Sequence, residues 1–410
     1  MKKFFALLLS LAMVLALVAC GQKDPTPDTP DTPDDPQTKV EYKVAMITDY
    51  GDITDQSFNQ TTYEACKAFA EDNSIEFSYF KPAGDNTADR VAMIEKAVND
   101  GFNVIVMPGY AFGGAIVEAA PEFPDVKFIA LDVAAGDLLE TAVAKAGEAY
   151  DYTPENWDLN KYVDMSNVYC AVYQEELCGY MAGYAAVKLG YKNLGFLGGM
   201  SVPAVVRYGY GFVQGVDAAA ADMGLTDVNV NYIYGGQFFG DADITAVMDT
   251  WYQGGTEVVF ACGGGIYTSA VDAAKKVNAK VIGVDVDQAG VIAKYAGVDG
   301  MTVTSAMKGL YPATYDTLTD VIVNGNWDKY VGKIATLGLV SGTDPEANYV
   351  QIPMGDGTQW SDSFTQDDYK AMVKDMFDGK ITVSNNTSSD VTAASFATVI
   401  TVDDQGSIKG

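Results

Sequence analysis

The chain has 410 residues, 55 acidic against 26 basic side chains and no histidine, for a formal charge of −29. So acidic a surface repels phosphate backbones and excludes nucleic acid as a partner. Without histidine there is no His-based metal site and no Ser-His or Cys-His triad.

The first residues read as a targeting segment. Lys2 and Lys3 precede an apolar run, Phe4 to Ala19, broken only by Ser10 and too short to span a bilayer. The run ends in Leu17-Val18-Ala19-Cys20-Gly21, which resembles the lipobox of bacterial lipoproteins. Small residues there suit a peptidase, and the Cys20 thiol takes a diacylglycerol. The expectation is a signal peptide over 1–19 and a Cys20 lipid anchor on the extracytoplasmic face of the cell membrane. Residues 20–40 follow as a tether, since Gln22 to Lys39 holds five prolines among Asp and Thr and no apolar side chain. Nothing later is long and apolar enough to span a membrane.

The remaining stretch of about 370 residues exceeds a usual single core, so two lobes are expected. Short β-branched apolar runs alternate with helical periods. The first series is Val44–Thr48, Ile75–Phe80, Val104–Met107 and Phe128–Leu131. The second is Val168–Tyr173, Leu194–Leu197, Val228–Tyr234, Val258–Ala261, Val281–Val284 and Met301–Ser305. Continuous apolar character predicts parallel strands covered on both faces. Between them, Asn59–Asp72 places Tyr63, Cys66, Phe69 and Ala70 on one helical face, and Thr87–Asp100 does the same with Val91, Ile94, Ala97 and Val98. Ser57 and Gln60 have capping-box spacing. The polar, aromatic stretch Tyr150–Ser166 reads as the seam between lobes. Cys66, Cys170, Cys178 and Cys262 read as buried small hydrophobes, because their spacing is not that of a disulfide scaffold.

In doubly wound sheets ligands collect beyond the carboxyl ends of the strands. Asp49, Asp132 and Asp285 follow strands there, as do Gly198-Gly199 and Gly263-Gly264-Gly265. The glycine run is no dinucleotide fingerprint, because Tyr267-Thr268-Ser269 stands where the third glycine belongs. There is no Walker A sequence and no Gly-x-Ser-x-Gly, so no enzymatic equipment is evident and neither cofactor nor metal is expected. Phe58 stands at a helix entrance and Phe238-Phe239 in a loop after a strand. One aromatic from each lobe can sandwich a flat ring.

These segments carry a resemblance. Asp55–Gln60, Pro124–Asp132, Glu175–Gly183, Leu194–Met200, Arg207–Gly215, Val281–Gln288, Thr304–Lys308 and Asp378–Ile381 are similar, in order and spacing, to the basic membrane protein family of lipoproteins. Studied members of that family include purine-nucleoside receptors of ABC importers. The similarity runs from about Glu41 to Ser384. It implies an α/β chain with two doubly wound Rossmann-like lobes joined by a hinge, the type I periplasmic-binding-protein fold. By position it implies that Phe58 and either Phe239 or Phe238 stack on a purine, and that Asn59 and Asp132 bond the base edge. Asp285 and Lys308 would hold the ribose hydroxyls, with Gly264 lending backbone and Asp49 close by. The implied partners are a nucleoside and permease subunits, with the protein a monomer and not an enzyme. A sugar or polyol receptor of the same fold, or a sensory signalling lipoprotein, is the alternative. The expected boundaries are 41–166 plus about 285–320 for lobe 1 and 167–284 plus about 321–400 for lobe 2. The sequence departs from the family pattern at Glu175-Glu176, Cys178 and Gly209-Tyr210, and in the 150–166 insertion.

Overall fold

The computed structural model describes residues 41–409, so the signal peptide, Cys20 and the tether lie outside the described residues. In chain order the first elements are β1 (Lys43–Ile47), α1 (Phe58–Asn73), β2 (Glu76–Phe80), α2 (Thr87–Asn99), β3 (Val104–Pro108), α3 (Gly113–Ala119), β4 (Lys127–Leu131) and α4 (Ala135–Lys145). Next come α5 (Leu159–Tyr162), β5 (Val168–Tyr173), α6 (Glu175–Lys188), β6 (Asn193–Gly198), α7 (Pro203–Met223), β7 (Asn229–Tyr234), α8 (Ala242–Gln253) and β8 (Val258–Cys262). The chain continues through α9 (Tyr267–Val277), β9 (Lys280–Asp285), α10 (Ala289–Ala296), β10 (Thr302–Lys308), α11 (Leu310–Leu318), β11 (Lys333–Leu337), β12 (Val350–Gln351), α12 (Gln366–Phe377) and β13 (Thr401–Ser407).

Two sheets result. The first runs β11-β5-β4-β3-β1-β2 and is wholly parallel. The second runs β12-β10-β9-β8-β6-β7-β13, parallel except for β12 at its edge. In the central strands β1, β3, β4, β6 and β8 alternate residues enter opposite cores, which is why these strands are almost wholly apolar. In the first sheet Ala45, Ile105 and Ala130 face one core while Met46, Val106 and Ile129 face the other. In the second, Phe196, Tyr232 and Phe260 oppose Leu197, Ile233 and Val259. The four folded-region cysteines are free and buried.

Sheet membership corrects the expected boundaries. Val168–Tyr173, assigned to the second lobe, pairs with β4 in the first sheet. Residues 302–308, assigned to the first lobe, pair with β9 in the second. The stretch 150–166 is no seam, since it joins α4 to β5 of the same lobe. An apolar parallel strand shows that it is buried but not in which sheet, so the local pattern misplaced the crossings. The chain crosses between sheets three times, after β5, after β10 and after β11. The crossings are stitched side by side: Gln174 N donates to Leu337 O (2.9 Å), Tyr349 N to Gly338 O (3.0 Å) and Gly309 N to Tyr349 O (2.7 Å).

The capping box at Ser57 and Gln60 does not form. Asp55 caps α1 instead, accepting from the amides of Ser57, Asn59 and Gln60 at 2.9, 2.9 and 3.1 Å. A carboxylate is the stronger acceptor at a helix N-terminus, and it releases the Ser57 hydroxyl for another partner.

In the second lobe α6 and α7 approach backbone to backbone. A Cβ on Gly183 would lie 2.3 Å from Phe212 O, and one on Gly211 would lie 2.1 Å from Glu176 O. Gly183→Val must therefore force the helices apart, at a cost of about 1–3 kcal/mol or more. Chemical denaturation is expected to show that loss. Gly290→Ala in α10, where a Cβ meets nothing within 4 Å, should leave stability unchanged or slightly raised.

Candidate functional site

In each sheet the order reverses about a central strand: β1 lies between β2 and β3, and β6 between β7 and β8. Loops leaving such strands in opposite directions open a crevice at their carboxyl ends. A cavity of about 440 Å³ lies there, lined from the first lobe by the 49–59 loop, Gly109, Tyr110, Asp132 and Asp137, and from the second by Arg207, Tyr208, Phe238, Phe239, Gly263–Gly265, Asp285 and Lys308. That volume suits a small organic ligand. All nine residues expected from the sequence, namely Asp49, Phe58, Asn59, Asp132, Phe238, Phe239, Gly264, Asp285 and Lys308, line this one cavity.

Lys308, closing β10, is its electrostatic centre. The buried ammonium pairs with Asp132 Oδ2 and lies 3.6 Å from both Glu175 Oε1 and Asp285 Oδ1. It also sits 4.7, 5.4 and 5.6 Å from the ring centres of Phe58, Tyr173 and Tyr208. Burial pulls its proton affinity down, but the three carboxylates outweigh that and hold it raised. Asp132 is raised as well. Burial, only partly offset by Lys308, pushes its carboxyl up to about 6.

Asp132 and Asp285 both hold left-handed backbone, with φ of 58° and 65°. This conformation is costly for residues with a Cβ, though Asp tolerates it better than most. Each stands where its strand ends and lines the cavity. Asp285 is then pinned from both lobes: Ser57 Oγ donates to Oδ2 at 2.6 Å and Tyr208 OH to Oδ1 at 3.3 Å. The hydroxyl released by the missing capping box thus bridges the lobes.

On the first-lobe wall, Asp49 Oδ1 accepts from the amides of Tyr50 and Gly51, both at 2.6 Å. Asn59 Nδ2 donates to Asp49 (3.2 Å) and Asp55 (3.1 Å). Its donors are thereby committed, and the buried Asn59 Oδ1 and Asp132 Oδ1 have no hydrogen-bond partner among the described residues. Both are acceptors. On the second-lobe wall, Phe238 lies against Gly199 and Gly263, where a Cβ would meet its ring at 2.4 and 3.1 Å. Phe239 keeps 54% of its surface exposed and bridges to Gly265. Gly264 adopts φ 51° and offers its carbonyl to Gln288 Nε2 at 3.4 Å.

Sequence reasoning did not place Glu175, Arg207, Tyr208, Ser57 and Asp137 at the site. Glu175 is wholly buried in the first turn of α6, where the helix dipole favours an anion, and Arg207 Nε donates to its Oε2 at 2.7 Å. The usable signal was scarcity, since Arg207 is one of two arginines in the chain. Burial raises Asp137 and Glu176 to about 7. Each cation of the lining already has a carboxylate: Lys308 with Asp132, Arg207 with Glu175, and Lys81 with Asp52 (2.9 Å).

A family model described as ABC transporter substrate-binding protein, PnrA-like, matches residues 42–344. The nucleoside-binding protein BmpA of an ABC transporter from Lactococcus lactis is 25% identical over 92% of this chain and 96% of its own length. An uncharacterized lipoprotein of Pyrococcus abyssi is 26% identical, covering 74% of this chain and 69% of its own. The crystal structure of an ABC transporter solute-binding protein from Aeropyrum pernix superposes with a TM-score of 0.63 at 19% identity, covering 85% of this chain and 95% of that one. Among the described residues no helix is long and apolar enough to cross a membrane. The fold is the type I periplasmic-binding-protein fold, and the chain belongs to the PnrA-like family of ABC transporter substrate-binding proteins, whose role implies a small-molecule ligand and permease partners.

Proposed function

We propose that the cavity takes a purine nucleoside, which the protein, anchored through Cys20 on the extracytoplasmic face and acting as a monomer, hands to its permease without chemical change. The observation that carries this reading is an aromatic wall on each lobe beside one polar cluster, Asp132, Asp285 and Lys308, together with two buried acceptors, Asn59 Oδ1 and Asp132 Oδ1, left without a partner among the described residues. Asn59 Oδ1 and Asp132 Oδ1 suit the N–H donors of a base edge. Asp285 suits vicinal ribose hydroxyls, which a carboxylate binds by charge-assisted hydrogen bonds. Phe58 and Phe239 are the stacking pair, and Phe238, wedged against Gly199 and Gly263, supports the loop. The name of the Lactococcus relative supports the same ligand class. A neutral nucleoside fits better than a nucleotide, because a phosphate would meet paired cations and several carboxylates. Closure about the three stitched crossings commits the ligand, as in other hinged receptors.

A thermal-shift screen of the domain from Glu41 onward tests the ligand class. Purine nucleosides at about a hundred times their dissociation constant should add about 2.7 kcal/mol of stability. Mononucleotides should add little. A rise with sugars alone would overturn the aromatic sandwich. Phe58→Ala and Phe239→Ala are each expected to weaken nucleoside binding about tenfold by calorimetry, the loss of one stacking contact, while Phe238→Ala should act mainly through stability.

The raised carboxyls give a pH signature with opposite signs for fold and ligand. Asp132 at about 6, and Asp137 and Glu176 at about 7, bind protons more readily folded than unfolded. The native state therefore gains protons first as pH falls, and stability of the ligand-free protein rises from pH 7 toward pH 5. Nucleoside affinity should fall below about pH 6 as the Asp132 acceptor is protonated. Melting temperature and affinity measured over pH 5–8 check both slopes; parallel trends would contradict the assignment of Asp132.

A further inference from the structure

The aromatic loop of the second lobe is held from outside by the last strand of the chain. β13 extends the second sheet alongside β7, and Ile408 N donates to Tyr234 O at 2.8 Å, so the following residue arrives beside the loop that leaves β7. Lys409 lies against Gly236, where a Cβ would meet Lys409 O at 2.6 Å and where φ is +77°. Only glycine fits this position comfortably.

The Lys409 ammonium donates to Gln237 Oε1 at 2.9 Å and pairs with Asp241 Oδ2. A cation at Oε1 leaves the Gln237 amide one orientation, because the flipped form would set its NH₂ against an ammonium. In that orientation Gln237 Nε2 donates to Phe239 O and to Asp241 Oδ2, both at 2.9 Å. On the inner side Phe238 O accepts from Gly265 N at 3.0 Å. Both aromatic residues are thus tied by their carbonyls, one to the glycine run and one through Gln237 to Lys409. Asp241 Oδ1 separately caps α8 through Ile244 N at 3.0 Å, so the far end of the loop is fixed without Lys409.

We infer that Lys409 is a positioning residue for ligand binding, a latch that orders the Phe238-Phe239 loop from a part of the chain beyond the 42–344 matched by the family model. The latch stands on this geometry; only its effect on affinity rests on the nucleoside reading. Without the ammonium, Gln237 is free to turn, the Phe239 carbonyl loses its side-chain tether and keeps only the backbone bridge to Gly265, and a ligand must order the loop as it binds. The expected weakening is on the order of three- to tenfold.

Hydrogen exchange of the ligand-free full chain, wild type against Lys409→Ala and Lys409→Arg, reads the latch directly, and inosine titration of the same proteins reads its consequence. Lys409→Ala should speed exchange in peptides covering 236–241 and at Gly265, leave exchange in the first sheet unchanged, and raise the inosine dissociation constant. Lys409→Arg should restore both. Unaltered exchange in Lys409→Ala overturns the latch, and faster exchange with an unaltered inosine constant overturns its role in binding. If exchange responds but the wild-type protein binds no nucleoside, the latch is supported and the nucleoside reading falls.

Discussion

One ammonium organises this protein. Lys308 gathers Asp132 from the first lobe and Glu175 and Asp285 from the second, three carboxylates that would repel one another in a buried space without it. Buried ion pairs stabilise a fold little in net terms, but taking away one partner leaves the others uncompensated at a cost of several kcal/mol. The cluster's value therefore lies in geometry. It fixes where β4, β9, β10 and the start of α6 stand relative to one another, and it sets one face of Phe58 against the cation. Arg207 extends the network by engaging the other oxygen of Glu175. A ligand meets a polar surface whose charges are already answered.

Much of this was legible in the sequence, for a definable reason. Parallel strands buried on both faces leave continuous apolar runs, and β1 through β10 each fall on a stretch read as a strand, although β2 and β7 carry polar residues at exposed positions. Their carboxyl ends then mark the crevice, so Asp49, Asp132, Asp285 and Gly263–Gly265 could be placed before any contact was known. The unread parts are those where the signal is not local. β11 is only partly buried and β13 reads Thr-Val-Asp-Asp-Gln-Gly-Ser, mostly exposed, so neither carries an apolar run. The exchange of strands between sheets depends on where the chain crosses, which periodicity does not encode. In the sequence Glu175 stands out only as a departure from the family pattern; packing shows that it is wholly buried against Arg207 and Lys308.

The failed capping box shows how a local rule yields to a site. Ser57 has the right type and spacing to cap α1, yet its hydroxyl serves Asp285 across the lobes while Asp55 takes over the helix amides. The helix loses nothing, since a carboxylate caps at least as well. The left-handed Asp132 and Asp285 are a second departure of this kind. Local preference is overridden where surrounding hydrogen bonds and ion pairs fix the geometry more strongly.

The two aromatic walls are built to different standards of rigidity. Phe58 opens a capped helix, packs against cores of both lobes and rests on the Lys308 ammonium. The opposite wall is a loop whose ends are fixed by Gly235 N on Gly198 O and by the Asp241 cap, and whose middle is held by the backbone bond from Gly265 N to Phe238 O and by side-chain bonds through Gln237 and Lys409. Those bonds are partly exposed, and exposed charge pairs are weak. On the proposed nucleoside reading, the first wall sets where a ring lies, while the second adapts to what that ring carries. In such a cleft the polar groups discriminate ligands more strongly than the aromatic faces. Stacking tolerates any flat ring, whereas an unanswered buried acceptor such as Asn59 Oδ1 penalises a ligand without the matching donor.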